Sequence, residues 1–171
     1  MPYDVKTTSA PLFLEEFTKL MDTFLFLKTE SLIAIAVSGG PDSLALTLLL
    51  HQWACQNQKN IPALTVDHGL RLGSAKEALH VQSWMQQHSI PHKILTWQGP
   101  KPTARIQETA RRMRYSLLQQ ACWDQDITTL MTAHHAYDQV ETFLMRLGKK
   151  KGGEKPKIIV CSGDDSKNLP K

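Results

Sequence analysis

At 171 residues, 42% of them apolar and 21% charged, the chain is long enough for one globular domain with its own core and too short for two of ordinary size. No apolar run approaches the roughly 20 residues of a membrane span, no basic-then-apolar leader precedes the first helix, and Cys55, Cys122 and Cys161 form no C-x-x-C pair, so the expectation is a cytoplasmic protein with no membrane partner, disulfide framework or zinc ribbon. The net charge of +4 is all in the tail: through Leu147 there are 13 basic and 13 acidic residues, and beyond it 7 and 3, so whole-chain basicity is weak support for nucleic-acid binding by the folded part.

In chain order, Leu12, Phe13, Phe17, Leu20, Met21, Phe24 and Leu25 recur at helical spacing and predict an amphipathic helix over about Pro11 to Leu27. LIAIAV (32–37) is an uninterrupted apolar run that reads as a strand buried on both faces, and it stops at the turn SGGPDS (38–43). From Asp42 the period changes to that of a helix, with Asp42 or Ser43 as its N-cap. A polar link, Gln56 to Asn60, leads to the strand IPALTV, which ends at Asp67-His68-Gly69. Ser74 opens a third helix ending near His88, and PHKILTW supplies a third strand. After the loop Gly99-Pro100-Lys101-Pro102 comes a long helix from about Thr103 to Asp124, then the strand ITTLMTA, the pair His134-His135 and a helix AYDQVETFLMRL.

Four strand–helix alternations joined by short links predict an α/β fold: a doubly wound parallel sheet with helices on both faces. Ligands on such sheets lie at the carboxyl ends of strands, where the strand order reverses. SGGPDS, TVDHGLR and TAHHAYDQ all follow strand carboxyl ends, so three polar clusters are expected to converge on one edge.

A strand, a Gly-rich turn and a helix N-terminus together present backbone N–H groups and a positive dipole end, which is an anion site. The turn lacks the Lys of a Walker A loop, having Pro41-Asp42-Ser43 at that place, and Gly39-Gly40 lacks the G-x-G-x-x-G spacing of a dinucleotide fingerprint. SGGPDS instead resembles the PP-loop, SGGxDS, of ATP pyrophosphatases, which split ATP between its α- and β-phosphates.

Asp67 and His68 close the second strand, where an acidic residue holds a ribose hydroxyl in dinucleotide folds; the other reading is a simple strand-ending turn. In the long helix Ile106, Ala110, Met113, Leu117 and Ala121 form a predicted core stripe, with Gln107, Arg111 and Arg114 on one flank and Arg112 pointing away. Two guanidiniums bordering a buried face suit phosphate, because each is a planar fork of donors that stays charged. His134, His135, Asp138 and Glu141 have metal-like spacing, but they open a helix, where acidic residues also complement the dipole. Mg²⁺ held jointly by a carboxylate and ATP phosphates is favoured over structural zinc.

SGGPDS, TVDHGLR, IQETARRMRY and TAHHAYDQVETFLMRL, in this order, are similar to the catalytic domain of bacterial tRNA(Ile)-lysidine synthetases over about Leu32 to Leu147. The resemblance implies ATP-dependent ligation of free lysine to C2 of the wobble cytidine of tRNA(Ile) with a CAU anticodon, through an adenylated cytidine, with release of AMP and pyrophosphate. It further implies that Ser38, Gly39, Gly40, Pro41, Asp42 and Ser43, with Asp67 and His68, bind ATP. Asp42, Arg111, Arg114 and Asp138 would be catalytic, and Asp42 and Asp138 are the candidate Mg²⁺ ligands; Asp138 is read either as a metal ligand or as the group orienting the incoming amine. Two departures stand out. Tyr137 replaces the first of two adjacent aspartates, and after Leu147 the chain turns Lys-rich. The expected organisation is a partial PP-loop domain, 1–147, and a flexible tail, 148–171, with IIVC a possible strand and resemblance breaking at about Leu147 to Lys151. Such a truncated sheet is expected to expose an edge and to self-associate. The alternative reading is a non-catalytic nucleotide- or dinucleotide-binding module that uses Asp67 for ribose.

Overall fold

A computed structural model describes residues 10–133 and 157–161, with side chains from Leu14 to Ala133. In chain order it contains α1 (Ala10–Thr23), a 3-10 turn (Leu25–Lys28), β1 (Ala34–Ala36), α2 (Pro41–Gln56), β2 (Ala63–Asp67), α3 (Ser74–Gln87), β3 (His92–Thr96), α4 (Ile106–Trp123), β4 (Thr129–Ala133) and β5 (Lys157–Cys161). The expected helix after His135 lies outside the described residues.

All strand pairs are parallel and the order is β3-β2-β1-β4-β5. The chain steps outward from β1 through β2 to β3, then returns to the other side of β1, so the order reverses between β1 and β4. That reversal splits the crossovers between the two faces and opens a crevice at the carboxyl ends of the two central strands.

The buried residues form two clusters, one on each face of the sheet. On one side Ile33, Ile35, Val37 and Ala63 pack against α1, α2 and α3 through Phe17, Met21, Leu50, Trp53, Val81 and Met85. On the other, Ala34, Leu64, Leu95 and Leu130 pack against α4 through Leu118, Ala121 and Cys122. Consecutive strand residues serve opposite faces, and both are covered, which is why β1 reads as a continuous apolar run and β4 is buried even at Thr129 and Thr132. Burial pushes the Cys122 thiol up to about 12.

Four local expectations are corrected. The first helix stops at Thr23, whose hydroxyl donates to the Leu20 carbonyl, and the 3-10 turn leaves Leu25 70% exposed; Leu20 too is exposed, so the buried stripe is narrower than its spacing suggested. The N-cap of α2 is Gly40, with Pro41 at the first helical position, which suits its fixed φ and missing N–H. In α4 the buried face carries Tyr115, Leu118, Ala121 and Cys122, whereas Ile106 is exposed. Two apolar stripes compete on this helix, and burying the one through Tyr115 turns Arg111 and Arg114 inward to half-buried positions while Arg112 stays exposed. Finally, the sheet does not end at its fourth strand: β5 pairs with β4 from Thr129↔Lys157 to Ala133↔Cys161.

Candidate functional site

Val37, Ser38 and Gly39 carry the chain from β1 into α2. Gly39 has φ +85°, and a Cβ there would lie 2.9 Å from Val81 Cγ2 on α3, so the position needs glycine for both its backbone angle and its close approach to α3. The loop is braced from within. The Ser43 hydroxyl donates to the Gly40 carbonyl (2.8 Å) and accepts from the Ser38 amide (3.3 Å). The Ser38 hydroxyl lies 3.1 Å from Ser43 Oγ, and the Gly40 amide points at Ser38 Oγ (3.4 Å). Ser43 is buried and held by its own loop. Leu44 makes the first intrahelical bond, to the Gly40 carbonyl. The amides of Asp42 and Ser43 therefore have no carbonyl within the helix to donate to, and they stand with the positive dipole end at the crevice.

A small cleft of about 30 Å³ lies at this point, lined by Ala36, Val37, Ser38 and Ser43 from the first strand and loop, Leu64 and Val66 from β2, Thr132 and Ala133 from β4, and Arg114, Tyr115 and Leu118 from α4. Arg114 thus faces the loop across the strand-order reversal, and among the described residues no carboxylate forms an ion pair with it. Arg111, one turn earlier, lies with its guanidinium 5.8 Å from the centre of the Tyr115 ring.

At the neighbouring carboxyl end, Asp67 is buried and its Oδ1 accepts from the Gly69 amide (3.0 Å). His68 is half-buried, with Nδ1 accepting from the Leu70 amide (3.2 Å), which leaves Nε2 as the protonated nitrogen of the neutral ring. Lys101 reaches over this turn, donating to the Trp97 carbonyl (2.8 Å) with its ammonium 4.4 Å from the Trp97 ring centre. Arg71 is turned away into a surface pair with Glu77 (2.7 Å). Among the described residues no cluster of three or more His, Cys, Asp or Glu is arranged for a metal. Asp138, with His134, His135, Tyr137 and Glu141, lies outside the described residues.

Residues 11–160 match the family model of the PP-loop domain. The chain belongs to the PP-loop family. The match to this domain model runs through the Lys-rich segment to residue 160. Among curated PP-loop relatives, the tRNA(Ile)-lysidine synthase of Methylobacterium nodulans is 44% identical over 139 residues, covering 80% of this chain and 40% of that protein. The synthase of that name from Bradyrhizobium diazoefficiens is 40% identical over 131 residues, covering 75% and 36%. The chain therefore spans well under half the length of the curated relatives it matches. Among solved structures, the U34-tRNA thiolase NcsA from Methanococcus maripaludis, with its 4Fe-4S cluster, superposes with a TM-score of 0.70 at 19% identity over 88% of this chain and 59% of that one; this likeness concerns the fold.

The structure brings Ser38, Ser43 and Arg114 to one crevice, sets Arg111 beside Tyr115 one turn before Arg114, and sets Asp67 and His68 at the adjoining strand end. Sequence reasoning missed Tyr115, Thr132 and Lys101. Thr132 had a usable signal, as the last buried polar residue of a strand that ends at the crevice. Tyr115 depended on the rotation of α4, and Lys101 sits in a Pro-rich loop that carries no periodicity.

Proposed function

We propose that this chain carries the ATP-activating part of a lysidine-forming ligase, which joins lysine to C2 of the wobble cytidine of a CAU-anticodon tRNA(Ile). The observation that carries the reading is the loop at the N-terminus of α2, braced so that its amides face a crevice whose far wall presents the half-buried Arg114. Its support from relatives is the shared name of the lysidine synthases at 40–44% identity.

In this mechanism the amides at the start of α2 receive phosphate oxygens, aided by the helix dipole. The C2 oxygen of cytidine attacks the α-phosphorus and pyrophosphate leaves; the lysine amine then adds to C2 and AMP departs. Arg114, with Arg111 beside it, offsets charge that accumulates on the departing pyrophosphate. Asp67 and His68 lie one strand away and are assigned to the adenosine portion. Asp42, exposed in the first turn of α2, would hold Mg²⁺ together with phosphate oxygens; one carboxylate beside a triphosphate suits an ion that keeps substrate oxygens and waters as ligands. When bound, the ion would neutralise phosphate charge. Asp138 is assigned to Mg²⁺ or to the lysine ammonium, and tRNA and free lysine are the proposed partners. Self-association through a sheet edge is proposed as well.

Isothermal titration of the full chain with Mg·ATP is the direct test, followed by incubation with ATP, lysine and the tRNA and mass analysis of the anticodon nucleosides. Saturable ATP binding that Asp42→Ala weakens supports the site, and lysidine in the digest supports the full reaction. A folded chain that shows no ATP binding refutes the reading.

A further inference from the structure

The groups that brace the loop do not stop at the loop. His92 at the start of β3 places Nε2 2.8 Å from the Thr65 hydroxyl on β2, and that hydroxyl donates to the Val37 carbonyl (2.9 Å) at the end of β1. Because the Thr65 proton is committed to Val37, its oxygen accepts, so His92 must donate from Nε2. The peptide that Thr65 holds by its carbonyl offers its other end, the Ser38 amide, to Ser43 Oγ (3.3 Å), and Ser43 donates onward to the Gly40 carbonyl (2.8 Å). The chain His92–Thr65–(Val37–Ser38 peptide)–Ser43–Gly40 thus runs across three strands with every donor pointing the same way. Chains of this kind polarise their members, and each bond strengthens the next. Thr65 and Ser43 are both buried, so little water competes for the groups. His92 Nδ1 is itself buried with no hydrogen-bond partner among the described residues, which fits a neutral ring kept for its Nε2 proton.

We propose that Thr65 and His92 are positioning residues for the phosphate-receiving loop, acting through the Val37–Ser38 peptide. This rests on the reading of that loop as the ATP site. The peptide between β1 and the loop has little else to fix its plane: β1 is only three residues long, and beyond it Val37 keeps one sheet bond, from its amide to the Leu64 carbonyl. Holding the carbonyl from Thr65 and the amide from Ser43 sets the direction of the peptide. That direction decides where the chain enters the Gly39 turn, and so where the amides at the start of α2 point. Pre-set donors need no reorientation when an anion arrives.

Thr65→Val keeps the shape and removes the hydroxyl, Thr65→Ser keeps the hydroxyl, and His92→Leu removes the outermost donor. In full-length protein without nucleotide, amide exchange over residues 37–46 is measured beside exchange in α3 and β3, and ATP affinity is measured by titration. Loss of one buried hydrogen bond from the chain is expected to speed exchange in the loop about fivefold for Thr65→Val and less for His92→Leu, with a comparable loss of ATP affinity, while Thr65→Ser stays near wild type. The proposal is overturned if Thr65→Val leaves loop exchange unchanged, or if exchange rises equally in α3 and β3, the mark of general loosening. Failure of the wild-type chain to bind ATP would refute the ATP reading alone, since the exchange measurement still decides whether these residues hold the loop.

Discussion

Gly39→Ala probes the junction on which the site depends. Two costs follow from the structure. At φ +85° a Cβ crowds the backbone, about 1–2 kcal/mol for a residue forced into left-handed geometry. The new carbon also lies 2.9 Å from Val81 Cγ2, inside ordinary contact, and overpacking of this kind adds about 1–3 kcal/mol because Val81 is buried and short with little room to yield. A total near 3 kcal/mol in a chain of this length lowers the melting temperature by about 6–12 °C. Gly73→Ala is the control: its φ is +99° but nothing lies within 4 Å of its added Cβ, so only the backbone cost applies, about 2–8 °C. Differential scanning fluorimetry of both variants, with Gly39→Ala/Val81→Ala to complete a mutant cycle, separates the two costs. If Gly39→Ala melts no lower than Gly73→Ala, or if removing Val81 relieves nothing, the close approach of the loop to α3 is not what makes this glycine necessary.

Arg114→Ala should weaken ATP binding about tenfold with little change in melting temperature, because it removes a charged donor from the cleft rather than a packing group; Arg114→Lys should fall between, and Arg112→Ala should change neither, as calorimetric titration would report. Burial lowers the His92 pKa below the ordinary imidazole value of 6.5, so near and below that pH the unfolded state binds the extra proton first. Its contribution to stability is thus complete above 6.5 and is lost as pH falls from 6.5 down through the lower folded value; melting temperature followed against pH should show this acid-side drop, and His92→Leu should reduce it. With its thiol held up to about 12 by burial, Cys122 should resist alkylation at pH 8 until the protein unfolds, while the exposed Cys55 reacts at once, as peptide mapping would show.

The parallel fold and the placement of its loops were readable because buried strands and Gly-rich turns write themselves locally: LIAIAV then SGGPDS needs no distant partner to be recognised. What escaped was set by choices between near-equal alternatives. α4 offers two apolar stripes of similar strength, and only its packing on Leu64, Leu95 and Leu130 selects the face that carries Arg114 and Tyr115 to the cleft. How Ser43 is braced, with all three partners in its own loop, depends on side-chain geometry that the hexapeptide alone does not spell out. The Thr65–His92 contact joins residues 27 apart on different strands, a diagonal pairing that follows from the register Ala63↔His92 and leaves no trace in either segment alone.

The strand order also fixes when the site can exist during synthesis. Ile35 finds Ala63 on one side after one short crossover, but Ala34 must wait for Leu130 on the other, about a hundred residues later. At ribosomal speeds that interval is roughly 5–20 s, during which β1, the most apolar strand of the sheet, offers an unpaired edge. The first half of the chain can shape the loop against α3 in that time, since β1, β2, β3 and both intervening helices are already made. The wall bearing Arg114 arrives only with α4, and the crevice closes only with β4. A nascent chain stalled before residue 129 would therefore hold a formed loop beside an exposed strand edge, the state most open to mispairing with another copy and the one a chaperone would have most reason to hold.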